Sequence, residues 1–106
     1  MDCRSPLSIP SPLLAQLRAS AAAHGARRLV LFGSRARGDN TARSDIDLAV
    51  YGMPEKERSA FWLETEELPT LLKLDIVHIT PNMDPVFLRN IEKDGVTLYA
   101  SEDGKL

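Results

Sequence analysis

A chain of 106 residues with a formal net charge of −2 has room for one small domain around a single hydrophobic core. Apolar residues make up 43% and charged residues 26%, the proportions of an ordinary globular protein, so neither bulk nucleic-acid binding nor membrane binding is expected. No apolar run reaches the length of a membrane span and no signal peptide is apparent, which makes the cytoplasm the expected compartment.

The lone cysteine, Cys3, excludes a disulfide within the chain and any cysteine-built metal site. Near a terminus containing Pro and Ser it reads as a free thiol. The charge is unevenly spread. Between Arg27 and Arg43 there are five arginines (Arg27, Arg28, Arg35, Arg37, Arg43) against one acid, Asp39. A local basic stretch of this kind can serve an anionic ligand even though the whole chain is acidic.

In chain order, residues 1–10 read as a flexible lead-in, residues 11–100 as one domain and residues 101–106 as a polar tail. Ser11-Pro12 gives a helix start, with Ser11 as N-cap and Pro12 at the first helical position. Leu13, Leu14, Leu17 and Ala21 recur at helical spacing, and Gly25 sits where a C-terminal cap belongs. Residues 29–32, Leu-Val-Leu-Phe, form a short apolar run that reads as a buried strand ending in Gly33-Ser34. A polar, Arg-rich connection over 35–44 leads to a second strand at 45–51, closed by Gly52. Pro54 opens a helix to about residue 68, with Phe61, Trp62 and Leu63 available to face the core, and Pro69 stops it. A third strand covers 72–79. Asp84-Pro85 starts a further helix with Val86, Phe87 and Ile91 as its apolar stripe, ending at Gly95, and 96–99 make a last strand. Two strands in succession at the start argue for an α+β fold: a mixed or antiparallel sheet of about four strands with helices packed on it.

Aspartate is disfavoured inside strands, yet Asp45 and Asp47 occupy alternate positions of the second strand. Alternation puts both on one face, with Ile46, Leu48 and Val50 on the other. Positions two apart are separated by roughly 6.5 Å along a strand, a spacing that suits carboxylates gathered around two cations roughly 3.5–4 Å apart. Oxygen ligands without a Cys or His cluster favour a hard ion, Mg²⁺ or Mn²⁺. The third strand repeats the anomaly at Asp75, which can join the pair if the two strands are neighbours, as a further ligand or as a proton acceptor. The plainer alternative is that Asp45 merely leads into the strand and Asp47 faces solvent.

Gly33-Ser34 directly follows a buried strand. Glycine permits close approach of the backbone to a ligand, and the exposed N–H groups of a turn or helix start bind anions. Ser34 adds a hydroxyl, while Arg35 and Arg37 add charge-assisted donors suited to phosphate. Taken alone this pair of residues is equally an ordinary turn, and it is not a Walker A loop. Arg27, Arg28 and Arg43 read as solvated charges. His78 should point away from Asp75, three residues distant, and pack. His24 lies near a helix end, where it complements the dipole, and Trp62 reads as core.

The combination is more specific than its parts: Gly33-Ser34, ten residues, Asp45-x-Asp47, then Asp75 on a later strand. The run Gly33-Ser34-Arg35-Ala36-Arg37-Gly38 through Ser44-Asp45-Ile46-Asp47-Leu48-Ala49-Val50 resembles the signature of DNA polymerase beta-like nucleotidyltransferases, most of all the minimal nucleotidyltransferases (MNT) of prokaryotes. The resemblance extends over about residues 29–99, including the closing helix and strand. It implies that the Gly33-Ser34 turn holds a nucleoside triphosphate. It implies further that Asp45 and Asp47 bind metal, and that Asp75 completes the site and assists deprotonation of the acceptor.

The reaction so implied is attack of an acceptor hydroxyl on the α-phosphorus of ATP, with Mg²⁺ as cofactor and pyrophosphate released. A chain of this size has no evident acceptor-binding domain, so the acceptor surface is expected from a partner or a second copy, as a hetero-oligomer or homodimer. Minimal members of the family are typically antitoxins that transfer AMP to a tyrosine of a HEPN-domain ribonuclease toxin. Two alternatives accompany that expectation: transfer to a small molecule such as an aminoglycoside or to a nucleic-acid end, and a non-catalytic module that neutralises a partner by binding.

Overall fold

The computed structural model describes residues 9–41 and 43–101. Cys3, most of the lead-in and nearly all of the polar tail lie outside the described residues. The elements run α1 (Ser11–Ala23), β1 (Arg28–Phe32), α2 (Ser34–Arg37), β2 (Ile46–Tyr51), α3 (Glu55–Glu66), β3 (Leu74–Ile79), α4 (Pro85–Asp94) and β4 (Val96–Ala100). The expected order is present with one addition, the single-turn helix α2, inside the stretch read as a plain polar connection.

The four strands make one sheet in the order β3-β2-β1-β4. β1 pairs antiparallel with both β2 and β4, whereas β2 and β3 are parallel. The fold is therefore α+β with a mixed sheet. The parallel pair exists because α3 intervenes between β2 and β3: a parallel return needs a crossover, and a helix is the usual one.

The period-two pattern of β2 divides the core. Ile46, Leu48 and Val50 join Leu29, Leu31, Leu98, Phe61 and the α1 stripe Leu13, Leu17 and Ala21 in the main cluster. On the opposite face Val30 and Ala49 pack against Ile91 of α4, with Phe32, Tyr51, Ile79 and Phe87 around them. The sheet is thus a middle layer, with α1 and α3 on one side and α4 on the other.

Several expectations are corrected. Ile9, assigned to the lead-in, is buried in the main cluster at 2% exposure, and the Leu14 N–H donates to the Pro10 carbonyl at 3.0 Å. Pro10 is consequently the N-cap of α1, with no side-chain capping bond, and Ser11 is already helical. Gly25 follows the C-cap His24 with φ +80°. Its N–H donates to Ala22 O and that of Ala26 to Ala21 O, the paired bonds of a Schellman stop that needs a left-handed residue at Gly25. In α3 only Phe61 of the expected trio is buried; Trp62 and Leu63 are 52% and 59% exposed. The stripe of α4 is likewise narrower, since Val86 is 57% exposed. Arg28 is not simply solvated. Its guanidinium lies 4.5 Å from the Tyr51 ring centroid and 3.8 Å from Glu92 Oε2, and the Tyr51 hydroxyl donates to the same oxygen at 3.1 Å, tying α4 to the sheet.

His24 does more than cap α1. Its Nδ1 faces Glu57 Oε1 at 2.9 Å and its Nε2 faces Glu64 Oε2 at 3.0 Å, both on α3. The Ser20 hydroxyl donates to the other Glu64 oxygen. With a carboxylate at each nitrogen the imidazolium is the favoured form, and the His24 pKa is raised, first by the bond to Glu57 and then by that to Glu64. His78 is the opposite case. It lies on the face away from Asp75, its buried Nδ1 has no hydrogen-bond partner among the described residues, and burial followed by the charge of Arg58 lowers its pKa.

Two predictions follow from this packing. Phe61→Ala should lower the unfolding free energy by about 3–5 kcal/mol through a core cavity, whereas Trp62→Ala should change it by no more than about 0.5 kcal/mol, both read from urea midpoints. A raised His24 pKa means that the α1–α3 clamp contributes fully below the unfolded value of 6.5 and fades as pH rises through the folded value. The difference in melting temperature between wild type and His24→Gln should accordingly be largest near pH 5.5 and shrink by pH 8.5; a constant difference would refute the clamp.

Candidate active site

Three strand ends meet at one end of the sheet. β1 runs out into Gly33, while β2 and β3, parallel to each other and β2 antiparallel to β1, begin there. The register aligns Phe32 with Asp47 and Asp47 with Asp75. Partners in register share a face, so Asp75, Asp47 and Phe32 form a row across three strands on the α4 side. The Phe32 ring stands edge-on to Phe87 of α4 at a centroid distance of 5.9 Å, closing the apolar end of that row. Of the three expected acids, the sheet brings Asp47 and Asp75 side by side.

Asp45 is placed differently from the expectation. β2 begins at Ile46, so Asp45 is the residue before the strand, and it is exposed. It is nonetheless near enough to act on its neighbour. The Asp47 pKa is raised, first by burial, then by the charge of Asp75, then by that of Asp45, and also by a hydrogen bond to Asp75 that only the protonated form can donate; Arg37 opposes these. Lys73 Nζ lies 3.5 Å from Asp75 Oδ1, between side chains 70% and 41% exposed, a surface pair of small energetic weight.

Gly33 is required by Asp47. It has φ +79°, and a Cβ built there would collide with Asp47 Oδ2 and lie 3.2 Å from its Cγ. The carboxylate therefore occupies the space that any side chain at position 33 would fill. The turn then enters α2, where Ala36 and Arg37 N–H groups both donate to Gly33 O at 3.1 Å. Gly38, with φ +90°, closes the helix.

The two arginines expected on phosphate separate. Arg37 is exposed, its Nε donates to Asp39 Oδ2 at 3.2 Å, and its charge reaches Asp47. Arg35 is only 3% exposed. Its Nε donates to Ser44 O at 3.0 Å and its terminal nitrogen approaches Thr41 O at 3.5 Å. Its donors thus serve the connection rather than open space. The spacing of the sequence could not show this, because a buried and an exposed arginine two residues apart read alike.

Among the described residues no group of three or more His, Cys, Asp and Glu converges on one metal position. The donor chemistry nevertheless fits a divalent ion. Asp47 and Asp75 are adjacent oxygen donors, and Asp47 bears the electrostatic cost that a cation removes. Asp45, exposed and one residue ahead of the strand, is the third candidate ligand.

Raising the Asp47 pKa above 3.8 makes its ionised form costlier folded than unfolded. That penalty is absent below about pH 3.8, grows as pH passes through the folded value and is complete above it. Without divalent ions, Asp47→Asn should therefore melt higher than wild type at pH 7.5 and no higher at pH 3. Added Mg²⁺ should raise the wild-type melting temperature and leave that of Asp47→Asn unchanged.

Comparison with known proteins gives the family and the fold. The family model described as polymerase beta, nucleotidyltransferase matches residues 18–104. Among solved structures, a toxin–antitoxin with AMP-PNP superposes with a TM-score of 0.66 at 18% identity, covering 85% of this chain and 75% of that one. A mutant of the toxin–antitoxin MntA-HpeT gives 0.66 at 16% identity, with 87% and 77% covered. A candidate nucleotidyltransferase from Sulfolobus solfataricus gives 0.58 at 23% identity, with 99% and 96% covered. At these identities the structural likeness is one of fold. A comparison with curated protein sequences gives no match. The family match spans most of the chain, including the Gly33-Ser34 turn and all three aspartates, and the chain belongs to the polymerase beta nucleotidyltransferase family.

Proposed function

We propose that this chain transfers AMP from ATP, with Mg²⁺ bound, to a tyrosine hydroxyl of a HEPN-domain ribonuclease toxin, and so acts in the cytoplasm as its antitoxin. The observation that carries the transferase chemistry is the register of Asp47 with Asp75 beside a turn whose glycine is shaped around the Asp47 carboxylate. The partner reading is supported by the fold neighbours, which include toxin–antitoxin structures, one of them with AMP-PNP.

In this reaction the acceptor oxygen bonds to the α-phosphorus, the bond from that phosphorus to the bridging oxygen breaks, and pyrophosphate leaves. Asp45, Asp47 and Asp75 would hold the divalent ions, which supply charge neutralisation at the phosphates and acidify the acceptor hydroxyl. Asp75, whose side chain is 41% exposed, takes the acceptor proton. Ser34 and the backbone N–H groups of the turn bind the triphosphate, and Arg37 adds positive charge at the same end of the sheet.

The test is incubation with α-labelled ATP, Mg²⁺ and the product of the adjacent gene. Label should appear on a tyrosine of that partner, and the Asp45→Ala/Asp47→Ala variant should lose transfer by several orders of magnitude. Full neutralisation of the partner by the unlabelled double variant would replace the enzyme with a binding module. Label on a small molecule or a nucleic-acid end would move the acceptor.

A further inference from the structure

Asp45 raises a question that the sheet does not answer. Ladder bonds and register position Asp47 and Asp75, whereas Asp45 precedes β2 and depends on whatever holds its two flanking peptides. On its C-terminal side, the Ile46 N–H donates to Lys73 O at 2.9 Å, the first bond between the β2 and β3 segments. On its N-terminal side, the carbonyl of Ser44, which belongs to the peptide entering Asp45, accepts from Arg35 Nε at 3.0 Å.

Ahead of Asp45, Thr41, Arg43 and Ser44 bond to one another. Thr41 N–H donates to Ser44 Oγ at 2.9 Å, Ser44 N–H donates back to Thr41 O at 3.2 Å, and Arg43 N–H donates to Thr41 Oγ1 at 3.2 Å. These bonds join Thr41, Arg43 and Ser44 to one another, but they do not tie them to the rest of the domain. Arg35 does, by reaching Ser44 O and Thr41 O from α2.

A guanidinium 3% exposed is costly unless its donors are used, and its planar fork is suited to bridging two fixed acceptors. We infer that Arg35 is a positioning residue: its guanidinium fastens the Thr41 and Ser44 carbonyls to α2 so that Asp45 is presented beside Asp47 for metal binding. This rests on the reading of the three aspartates as metal ligands and adds a residue that touches neither metal nor nucleotide. It also couples the parts of the site, because α2 starts at Ser34 of the phosphate turn and at its next residue carries the guanidinium that holds the carbonyl entering Asp45.

The test is direct Mn²⁺ binding, read by the electron paramagnetic resonance signal of the free ion, with circular dichroism to confirm folding. Replacing a residue that orients a ligand weakens metal binding by roughly 10–100-fold, and Arg35→Met should fall in that range while binding metal-free ATP as wild type does. Arg35→Lys, whose ammonium reaches one carbonyl where the fork reaches two, should recover part of the loss, and it carries the comparison if Arg35→Met does not fold. In an Asp45→Ala background the Arg35 substitutions should have no further effect, since a residue acting through Asp45 has nothing left to position.

Folded Arg35 variants with wild-type Mn²⁺ affinity and weakened metal-free ATP binding would overturn the inference and return Arg35 to the phosphate. An undiminished effect in the Asp45→Ala background would overturn it too. Wild-type Mn²⁺ binding by Asp45→Ala and Asp47→Ala is a separate failure, that of the metal reading itself.

Discussion

The domain holds two carboxylates, Asp47 and Asp75, side by side on one face of a sheet, and much of its architecture is organised around that contact. Two such charges 4 Å apart repel by about 1 kcal/mol in water and about 4 kcal/mol near a protein surface. The raised Asp47 pKa expresses its partial burial first and that repulsion second. The pair is kept together by backbone ladder bonds and by the apolar reverse side of the same strands, where Ile46 and Leu48 are fully buried. Core packing on the α1/α3 side thus sustains an unfavourable contact on the α4 side, and a bound cation would turn that contact into an attraction.

The mixed sheet is what allows a short sequence to assemble such a site. Antiparallel β1 and β2 bring the end of one strand next to the start of the other, so a single connection supplies Gly33, Ser34, Arg37 and Asp45. The parallel addition of β3 then sets a third carboxylate in register at the same end. Parallel pairing requires α3 to cross over, and α3 must itself be anchored. Phe61 anchors it in the core, and the His24 bridge to Glu57 and Glu64 ties it to α1.

The local chemistry of the connection is divided by burial. Arg35 and Arg37 stand two apart on one helical turn, and they face different surroundings. Arg35 is enclosed and holds backbone carbonyls; Arg37 is open and its field falls on Asp47. The left-handed Gly38 ends α2 after one turn, leaving the chain free to turn back toward β2. The same economy appears at Gly33, where the absence of a side chain is used by the Asp47 carboxylate.

Much of this was legible in the amino-acid sequence, because the signals were local. The alternation of Asp47 with Ile46, Leu48 and Val50 put charge on one face and apolar bulk on the other, although the same pattern counted Asp45 into a strand that begins one residue later. Strand and helix order followed from Pro and Gly punctuation at Gly25, Gly52, Pro54, Pro69 and Gly95, and the strand–strand start excluded a purely parallel sheet. The spacing of Gly33-Ser34 to Asp45-x-Asp47 carries the family resemblance by itself. What sequence periodicity could not supply depended on neighbours distant along the chain. Trp62 and Leu63 fit an apolar stripe as well as Phe61 does, but only one of the three directions from α3 meets the sheet. Ile9 lacks helical or strand context and is core only because the main cluster closes over it. Arg35 and Arg37 carry the same charge, and only the folded positions of Thr41 and Ser44 give one of them backbone carbonyls to hold. Composition and spacing determined which groups the chain carries and their order; the tertiary structure decided which of them touch, because burial and register arise from contacts across the sheet.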